Sequence, residues 1–283
     1  MGNKKVILVV LAHPDDETFG MGGTLAYYAR QGVEIHLVCA TRGEVGEVPE
    51  GMMEGYATVA ELREHELDEA SKILGLTQVH YMGYRDSGMP GSEDNHHPQA
   101  LAAADLEKVA GEVVHYIRLL RPQIVLTFDP IGGYRHPDHI AIQRATEKAF
   151  YAAGDAAQYV EDLPAFMPQK LYFHTMPKAT LRFGIFLMRL MGKDPHKFGR
   201  NGDIDLASIA EVSFPVNAMI NYYSVAEIRN AAAACHASQG GTQITSSGLI
   251  GRIRSVLGAK DPFMRAYPKP NRRIERDLFD GIE

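Results

Sequence analysis

Apolar residues in the first half of the chain follow two alternating patterns. Residues 6–12 form a continuous apolar run rich in β-branched side chains, which is typical of a strand buried on both faces. Residues 58–74 instead repeat apolar positions at helical spacing and end before Gly75, which predicts a helix stopped by a glycine. We predict further strands at residues 33–40, 78–82 and 123–128, and further helices at residues 24–31, 101–120 and 138–153.

Strands that alternate with helices predict a parallel sheet joined by right-handed crossovers. We therefore expect an α/β fold in a single domain: a Rossmann-like, doubly wound, mostly parallel sheet over residues 1–154, and an α/β C-terminal extension over residues 155–283. In the extension we predict strands at residues 170–175 and 209–214 and a helix at residues 224–237. The apolar run within residues 180–205 fits a core helix, a lid over a site or a subunit interface.

Composition and charge exclude several classes of protein. Hydrophobic residues make up 45% of the chain and its net charge is −6, so no basic face for nucleic acid is expected. No apolar run approaches the length of a membrane span, and residues 6–12 lack a following cleavage site, so we expect no stable membrane anchor and a cytoplasmic protein. Cys39 and Cys235 are far apart, and we expect buried free thiols.

Two motifs rich in reactive side chains follow strands that are expected to be neighbours. AHPDDE occupies residues 12–17, directly after the first strand, and YRHPDH occupies residues 134–139, after the fourth. In a doubly wound sheet of order 3-2-1-4, strands one and four flank the crevice in which ligands bind. The two motifs are therefore expected to meet at the carboxyl ends of these strands.

The residue types in these motifs indicate a catalytic metal site. Imidazole and carboxylate groups are good zinc ligands, and a catalytic zinc site keeps three protein ligands and one open position for water. The ion lowers the pKa of that water to about 7, a further carboxylate can act as general base, and a spare imidazolium can stabilise an oxyanion. Without a cation, burying several carboxylates together at the ends of these strands would destabilise the fold by several kcal/mol. Fe²⁺ stays open beside Zn²⁺, because ligand type alone does not fix the metal.

A nucleotide-binding oxidoreductase is one alternative for a Rossmann-like sheet. Gly20 and Gly22 fit the start of a GxGxxG fingerprint, but the third glycine position holds Leu25. No acidic residue ends the second predicted strand, and the acids at residues 15–17 would repel a pyrophosphate. The fingerprint therefore fails.

The AHPDDE and HPDH motifs resemble those of the LmbE/PIG-L family of metal-dependent deacetylases. The likeness is greatest to the mycothiol branch, which comprises an N-acetylglucosaminyl-inositol deacetylase and a mycothiol S-conjugate amidase. It extends to residues 86–88, 132–134 and 277–283, and the last of these stretches favours the amidase. The resemblance implies a Rossmann-like fold with its site at the carboxyl end of the sheet.

The resemblance also implies a role for each residue of the site. Three residues are expected to bind the metal: His13, Asp16 and His139. Asp15 is expected to be the general base, and His136 to polarise the carbonyl and stabilise the oxyanion, with Asp138 orienting His136 or tuning its charge. Three residues are expected to contact the substrate: Arg63, Asp86 and Tyr134. His236 matches a late His/Ser/Gln group of the family, and a capping role is an alternative.

The expected activity is removal of the acyl group from the N-acyl amine of a small-molecule amino sugar. Cleavage of a larger thiol conjugate is the alternative within the enzyme class, because the chemistry of the metal site is the same for both. A catalytically silent sugar-binding module on the same fold would not need Asp15. Assembly into a homo-oligomer is left open by the sequence.

Overall fold

The computed structural model describes residues 4–176, 178–198, 202, 204–244 and 258–282. Within them one seven-stranded sheet has the order β3-β2-β1-β4-β5-β7-β6. Its strands are β1 (Val6–Leu11), β2 (Glu34–Cys39), β3 (Gln78–Tyr81), β4 (Ile124–Phe128), β5 (Lys170–His174), β6 (Ala218–Asn221) and β7 (Lys260–Tyr267). The first five strands are parallel, and β7 runs antiparallel to both β5 and β6. The predicted α/β, mostly parallel architecture is confirmed.

Helices flank the sheet. They are α1 (Asp16–Ala29), α2 (Val59–Leu74), α3 (Leu106–Leu120), α4 (Gly132–Arg135), α5 (Pro137–Ala152), α6 (Lys178–Leu190), α7 (Leu206–Ile209), α8 (Ala226–Cys235) and α9 (Gly241–Ile244). The helix predicted at residues 58–74 is confirmed as α2: the Thr58 hydroxyl accepts from the Glu61 N–H, and Gly75 ends the helix at φ 81°. β1 is buried along its whole length, as its apolar run predicts.

Two helices begin elsewhere than predicted. α1 begins at Asp16 instead of Thr24, so it includes Gly20, Gly22 and Gly23, a residue type that disfavours a helix. A Cβ at Gly23 would lie 2.2 Å from the Tyr222 ring, and the helix bends at Met21. α3 begins at Leu106, where Asp105 caps it, and residues 101–103 form a separate 3₁₀ turn.

The strand prediction for the C-terminal extension is partly wrong. Residue 209 ends the short helix α7, and residues 210–214 form no strand; the strands lie at β6 and β7 instead. Asp261 and Pro262 hid β7 from the pattern, because both residue types are rare in strands. Residues 170–175 and 224–237 are confirmed as β5 and α8 within a few positions.

The helix α6 has one buried and one exposed apolar face. Leu181 and Ile185 are buried against α7, in a cluster that also contacts Tyr134. Phe186 is 60% exposed and Leu190 is 74% exposed, so α6 is not a fully buried core helix. No helix in the described part of the chain is long and apolar enough to cross a membrane. Both cysteines are free thiols, and Cys39 alone is fully buried.

Candidate metal centre and active site

The sheet brings the two motifs together. β1 and β4 are adjacent parallel strands, so the loops that leave their carboxyl ends emerge side by side. α5 begins at Pro137, whose fixed φ suits the first helical position. His136 lies at the N-cap, where its Nδ1 accepts from the Asp138 N–H at 3.2 Å. Helix α5 therefore directs His139 from its first turn toward the loop after β1.

Three side-chain groups converge on one point. His13 Nδ1 lies 3.2 Å from His139 Nε2 and 3.5 Å from Asp16 Oδ2, and His139 Nε2 lies 3.3 Å from Asp16 Oδ1. Zinc bonds of 2.0–2.2 Å in tetrahedral geometry space their ligand atoms about 3.4 Å apart. All three distances are close to this spacing. The Asp16 carboxylate faces both imidazoles, with Oδ2 toward His13 Nδ1 and Oδ1 toward His139 Nε2.

The remaining ring nitrogens are arranged as in metal-binding histidines. His13 Nε2 donates to Asp138 Oδ2 at 3.1 Å, and His139 Nδ1 donates to the Gly132 carbonyl at 3.2 Å. Such partners fix the ring orientation and leave the opposite nitrogen free for an ion. A Cβ at position 132 would lie 2.8 Å from the His139 Cβ, so only glycine permits this close approach. The donor set thus fits a bound divalent metal.

The pKa shifts of the expected ligands indicate that this site stabilises a positive charge. Burial lowers the pKa of His13, but the Asp86, Asp138 and Asp16 carboxylates outweigh burial and raise the pKa well above its usual value. Burial raises the pKa of Asp16, but His139 and His13 hold it well below its usual range. A metal ion can supply the charge that a proton on His13 supplies otherwise.

Two other groups of side chains could also hold an ion. His13, His136 and His139 form one group, and His13, Asp86, His136 and Asp138 form the other, with ligand atoms within 4.8 Å of one another in each. Both groups include His13. In the second group the His13 nitrogen beside the carboxylates is Nε2, which would lose its hydrogen bond to Asp138 on binding an ion. The set with Asp16 uses Nδ1 and leaves the hydrogen bonds of both histidines intact, so it fits a metal best.

Asp15 lies beside this cluster in a strained conformation. Its φ of 121° is rare for any residue other than glycine, and its carboxylate accepts from Arg63 Nη2 at 3.0 Å. Burial raises the pKa of Asp15 to about 6, although Arg63 opposes the shift. A carboxylate with a pKa near the working pH is suited to act as a general base.

Arg63 is buried instead of lying on the helix surface. Its guanidinium donates to the Pro14 carbonyl at 2.6 Å and the Gly43 carbonyl at 3.1 Å, besides Asp15. The structure therefore assigns Arg63 a contact with the candidate base. Its contact with a substrate stays a prediction.

Two expectations for His136 need correction. Burial, with the neighbouring His13 and His139, lowers the pKa of His136 to about 2, so the ring is neutral and not an imidazolium. Because Nδ1 accepts from the Asp138 N–H, the proton lies on Nε2, which can still donate to an oxyanion. The Asp138 carboxylate itself contacts His13 and Ser87, so it orients His13 and not His136.

The other predicted substrate residues line the same pocket. Asp86 Oδ1 lies 3.5 Å from His13 Nε2 and accepts from the Gly88 N–H at 2.8 Å. Burial raises the pKa of Asp86, but His13 lowers it further, so the carboxyl stays ionised. The Tyr134 ring lies 4.9 Å from the His139 ring, centroid to centroid. The structure thus brings all nine predicted site residues to one end of the sheet.

Comparison with known proteins assigns the family. The model of the PIG-L family, described as GlcNAc-PI de-N-acetylase, matches residues 8–150. The chain is also 34% identical to 1D-myo-inositol 2-acetamido-2-deoxy-alpha-D-glucopyranoside deacetylase 2 of Catenulispora acidiphila, over 98% of this chain and 97% of the relative. The chain belongs to the PIG-L family. The resemblance inferred from the two motifs is confirmed.

Two solved structures share the fold of this chain but are named for different activities. One is N,N'-diacetylchitobiose deacetylase from Pyrococcus horikoshii, at a TM-score of 0.62 and 19% identity, over 93% of this chain and 84% of that one. Another is 4-carboxy-2-hydroxymuconate hydratase from Pseudomonas putida, at a TM-score of 0.63 and 20% identity, over 95% and 99%. Because a deacetylase and a hydratase share the fold, activity must be argued from the site.

Sequence reasoning gave no role to Glu17. Glu17 is fully buried, and His236 Nε2 donates to its Oε1 at 2.8 Å. Burial lowers the pKa of His236, but the Glu17 carboxylate outweighs it and raises that pKa. His236 therefore pairs with the first motif, and its side chain caps no helix. Glu17 is the last acid of the AHPDDE motif, and its place in that motif is the sequence feature that could have indicated a role.

Proposed function

We propose that this PIG-L family protein is a zinc-dependent hydrolase that removes the acetyl group from an N-acetylglucosamine-type amino sugar. The observation that carries the proposal is that the His13, Asp16 and His139 side chains come within 3.2–3.5 Å of one another, with the partly buried Asp15 carboxyl, of pKa about 6, beside them. The name of the Catenulispora acidiphila relative gives the substrate class. A pure sugar-binding module would need neither the ligand set nor the base.

His13, Asp16 and His139 would hold the ion. Two nitrogens and one carboxylate oxygen suit Zn²⁺, and Fe²⁺ uses the same donors. When bound, the ion acts as a Lewis acid and makes hydroxide available at neutral pH. His13 is kept in place for this task by its hydrogen bond to Asp138.

The remaining steps belong to side chains of this chain. Asp15 takes a proton from the attacking water and later passes it to the leaving amine, while Arg63 holds its carboxylate. The Nε2–H of the neutral His136 donates to the oxyanion that forms on the carbonyl oxygen, a contribution worth about 10²- to 10³-fold in rate. Asp86 accepts from a sugar hydroxyl, and Tyr134 donates to the carbonyl or to the oxyanion.

Cleavage of a larger thiol conjugate is the second candidate. The C-terminal stretch at residues 277–283 favours it in the sequence, whereas the name of the relative favours the deacetylase. Part of this stretch supports the fold: Tyr28 donates to Asp277 and accepts from the Leu278 N–H. We therefore place the deacetylase first.

The test is amine and acetate release from 1D-myo-inositol 2-acetamido-2-deoxy-α-D-glucopyranoside by the purified protein, compared with a thiol-sugar conjugate. We expect the deacetylase substrate to be preferred, chelation to abolish turnover, and zinc to restore it. Asp15→Asn serves as the inactive control. Full activity in protein shown to be metal-free by elemental analysis would refute the metal mechanism, and a preference for the conjugate would make the protein an amidase.

A further inference from the structure

The backbone of Asp15 is held in a conformation that its residue type disfavours. Its φ of 121° and ψ of −27° lie outside the regions that side-chain-bearing residues ordinarily adopt, and such strain costs about 1–3 kcal/mol. The strained N–H has a partner: it donates to Glu17 Oε2 at 3.0 Å. The carboxylate of Asp15 is then free to reach Arg63 instead of capping α1.

Hydrogen bonds to Thr18 and His236 hold the Glu17 side chain in place. The carboxylate is fully buried, so it needs hydrogen bonds to offset its lost hydration. Thr18 Oγ1 and His236 Nε2 donate to Oε1, and Oε2 remains directed at the Asp15 N–H. His236 is itself fully buried, which leaves the pair little freedom to rearrange.

The segment that carries His236 is also attached to the rest of the fold by hydrogen bonds that do not involve Glu17. A second buried carboxylate, Glu66 of α2, accepts from the Ser238 N–H at 2.8 Å and from its hydroxyl at 2.6 Å. Glu66 therefore anchors the same turn, two residues from His236, without a hydrogen bond to Asp15. The chain thus offers a matched pair of anchors, of which only Glu17 contacts the candidate base.

We propose that Glu17 and His236 are positioning residues that hold the Asp15 backbone so that its carboxylate is aimed at the reacting water. The proposal rests on the assignment of Asp15 as general base. Its basis is the continuous chain of hydrogen bonds from His236 through Glu17 to the Asp15 N–H. A displacement of a catalytic group by about 1 Å can cost about 10²-fold in rate.

The first experiment compares Glu17→Gln with Glu66→Gln in steady-state deacetylation. Glu17→Gln replaces one acceptor oxygen by a donor, so the side chain can no longer accept from both the Asp15 N–H and His236 Nε2. We expect kcat to fall about 10- to 100-fold with KM and metal content unchanged, and Glu66→Gln to stay within about twofold of the wild type. An equal fall in both variants, or loss of metal from Glu17→Gln, would overturn the positioning role.

A double-mutant cycle tests whether Glu17 acts through the base. In an Asp15→Asn background, Glu17→Gln should change kcat by less than about twofold; a full additional loss would overturn the proposal. His236→Gln retains a donor for Glu17 and should keep more activity than His236→Leu. A wild-type rate in Asp15→Asn would refute the assignment of Asp15 as the general base. A wild-type rate in Glu17→Gln and His236→Leu, with a slow Asp15→Asn, would refute only the positioning role.

Discussion

Replacing Asp138 by alanine probes how the metal site is tuned. Asp138 is fully buried, and the change removes the acceptor for His13 Nε2 at 3.1 Å together with the acceptor for Ser87. A hydrogen bond to a charged group contributes about 1.5–3 kcal/mol. At 1.4 kcal/mol per tenfold, we expect zinc affinity to fall about 10- to 100-fold, as found for partners of ligating histidines.

The assay is zinc binding in competition with a chromophoric chelator, on protein whose folding is checked by circular dichroism and thermal unfolding. Ser87→Ala is the matched control. It removes the Ser87 hydroxyl from Asp138 and leaves the bond between Asp138 and His13 in place. Its zinc affinity should therefore stay within about fivefold of the wild type, since the ligating ring keeps its partner.

Two results would refute this reasoning in different ways. An unchanged zinc affinity in Asp138→Ala would mean that the hydrogen bond to His13 does not influence the ligand. A loss far greater than about 10³-fold in a folded protein would make Asp138 a ligand itself. The ion would then occupy the group formed by His13, Asp86, His136 and Asp138, and Asp16 would lose its assignment.

Three further predictions follow from the same site and its supports. Asp15→Asn should keep the metal and lower kcat by about 10²- to 10⁴-fold, whereas His13→Ala should lose the metal; equal metal loss in both would make Asp15 a ligand. His136→Ala should lower kcat by about 10²- to 10³-fold with metal content unchanged, and loss of metal would make His136 a ligand. Burial raises the pKa of Asp261 to about 6 in the folded chain, against about 3.9 when unfolded, so its stabilising contribution is present below pH about 4 and is lost as pH rises through 6. Asp261→Asn should therefore gain up to about 3 kcal/mol in the free energy of unfolding relative to the wild type between pH 4 and 8; a constant difference in urea unfolding would contradict this.

The parts of the molecule that the sequence predicts well depend on local patterns. β1 and α2 have uninterrupted strand and helix periodicity, and the two motifs follow strands whose adjacency is a rule of doubly wound sheets. These facts were enough to place His13 and His139 together. The sequence does not predict the antiparallel strand β7, because Pro262 interrupts the strand pattern. In the structure Pro262 nevertheless lies within the paired part of β7, beside β6.

The parts that were mispredicted depend on contacts between distant segments. Glu17 and His236 are 219 positions apart, and neither residue carries a local signal of its partner. The charge of His136 follows from burial beside two other imidazoles, which no spacing in the chain reveals. The carboxylate of Asp138 faces His13 and not His136, because the first turn of α5 directs its side chain across the cleft.

The sheet order has a consequence for how the chain acquires its structure during synthesis. β7 lies between β5 and β6, so β6 leaves the ribosome before the strand it must pair with exists. Until residues 260–267 follow, the free edge of β5 is a template for pairing with other chains. A truncation before residue 258 would make that exposure permanent, and such a fragment should aggregate even though it contains every proposed metal ligand.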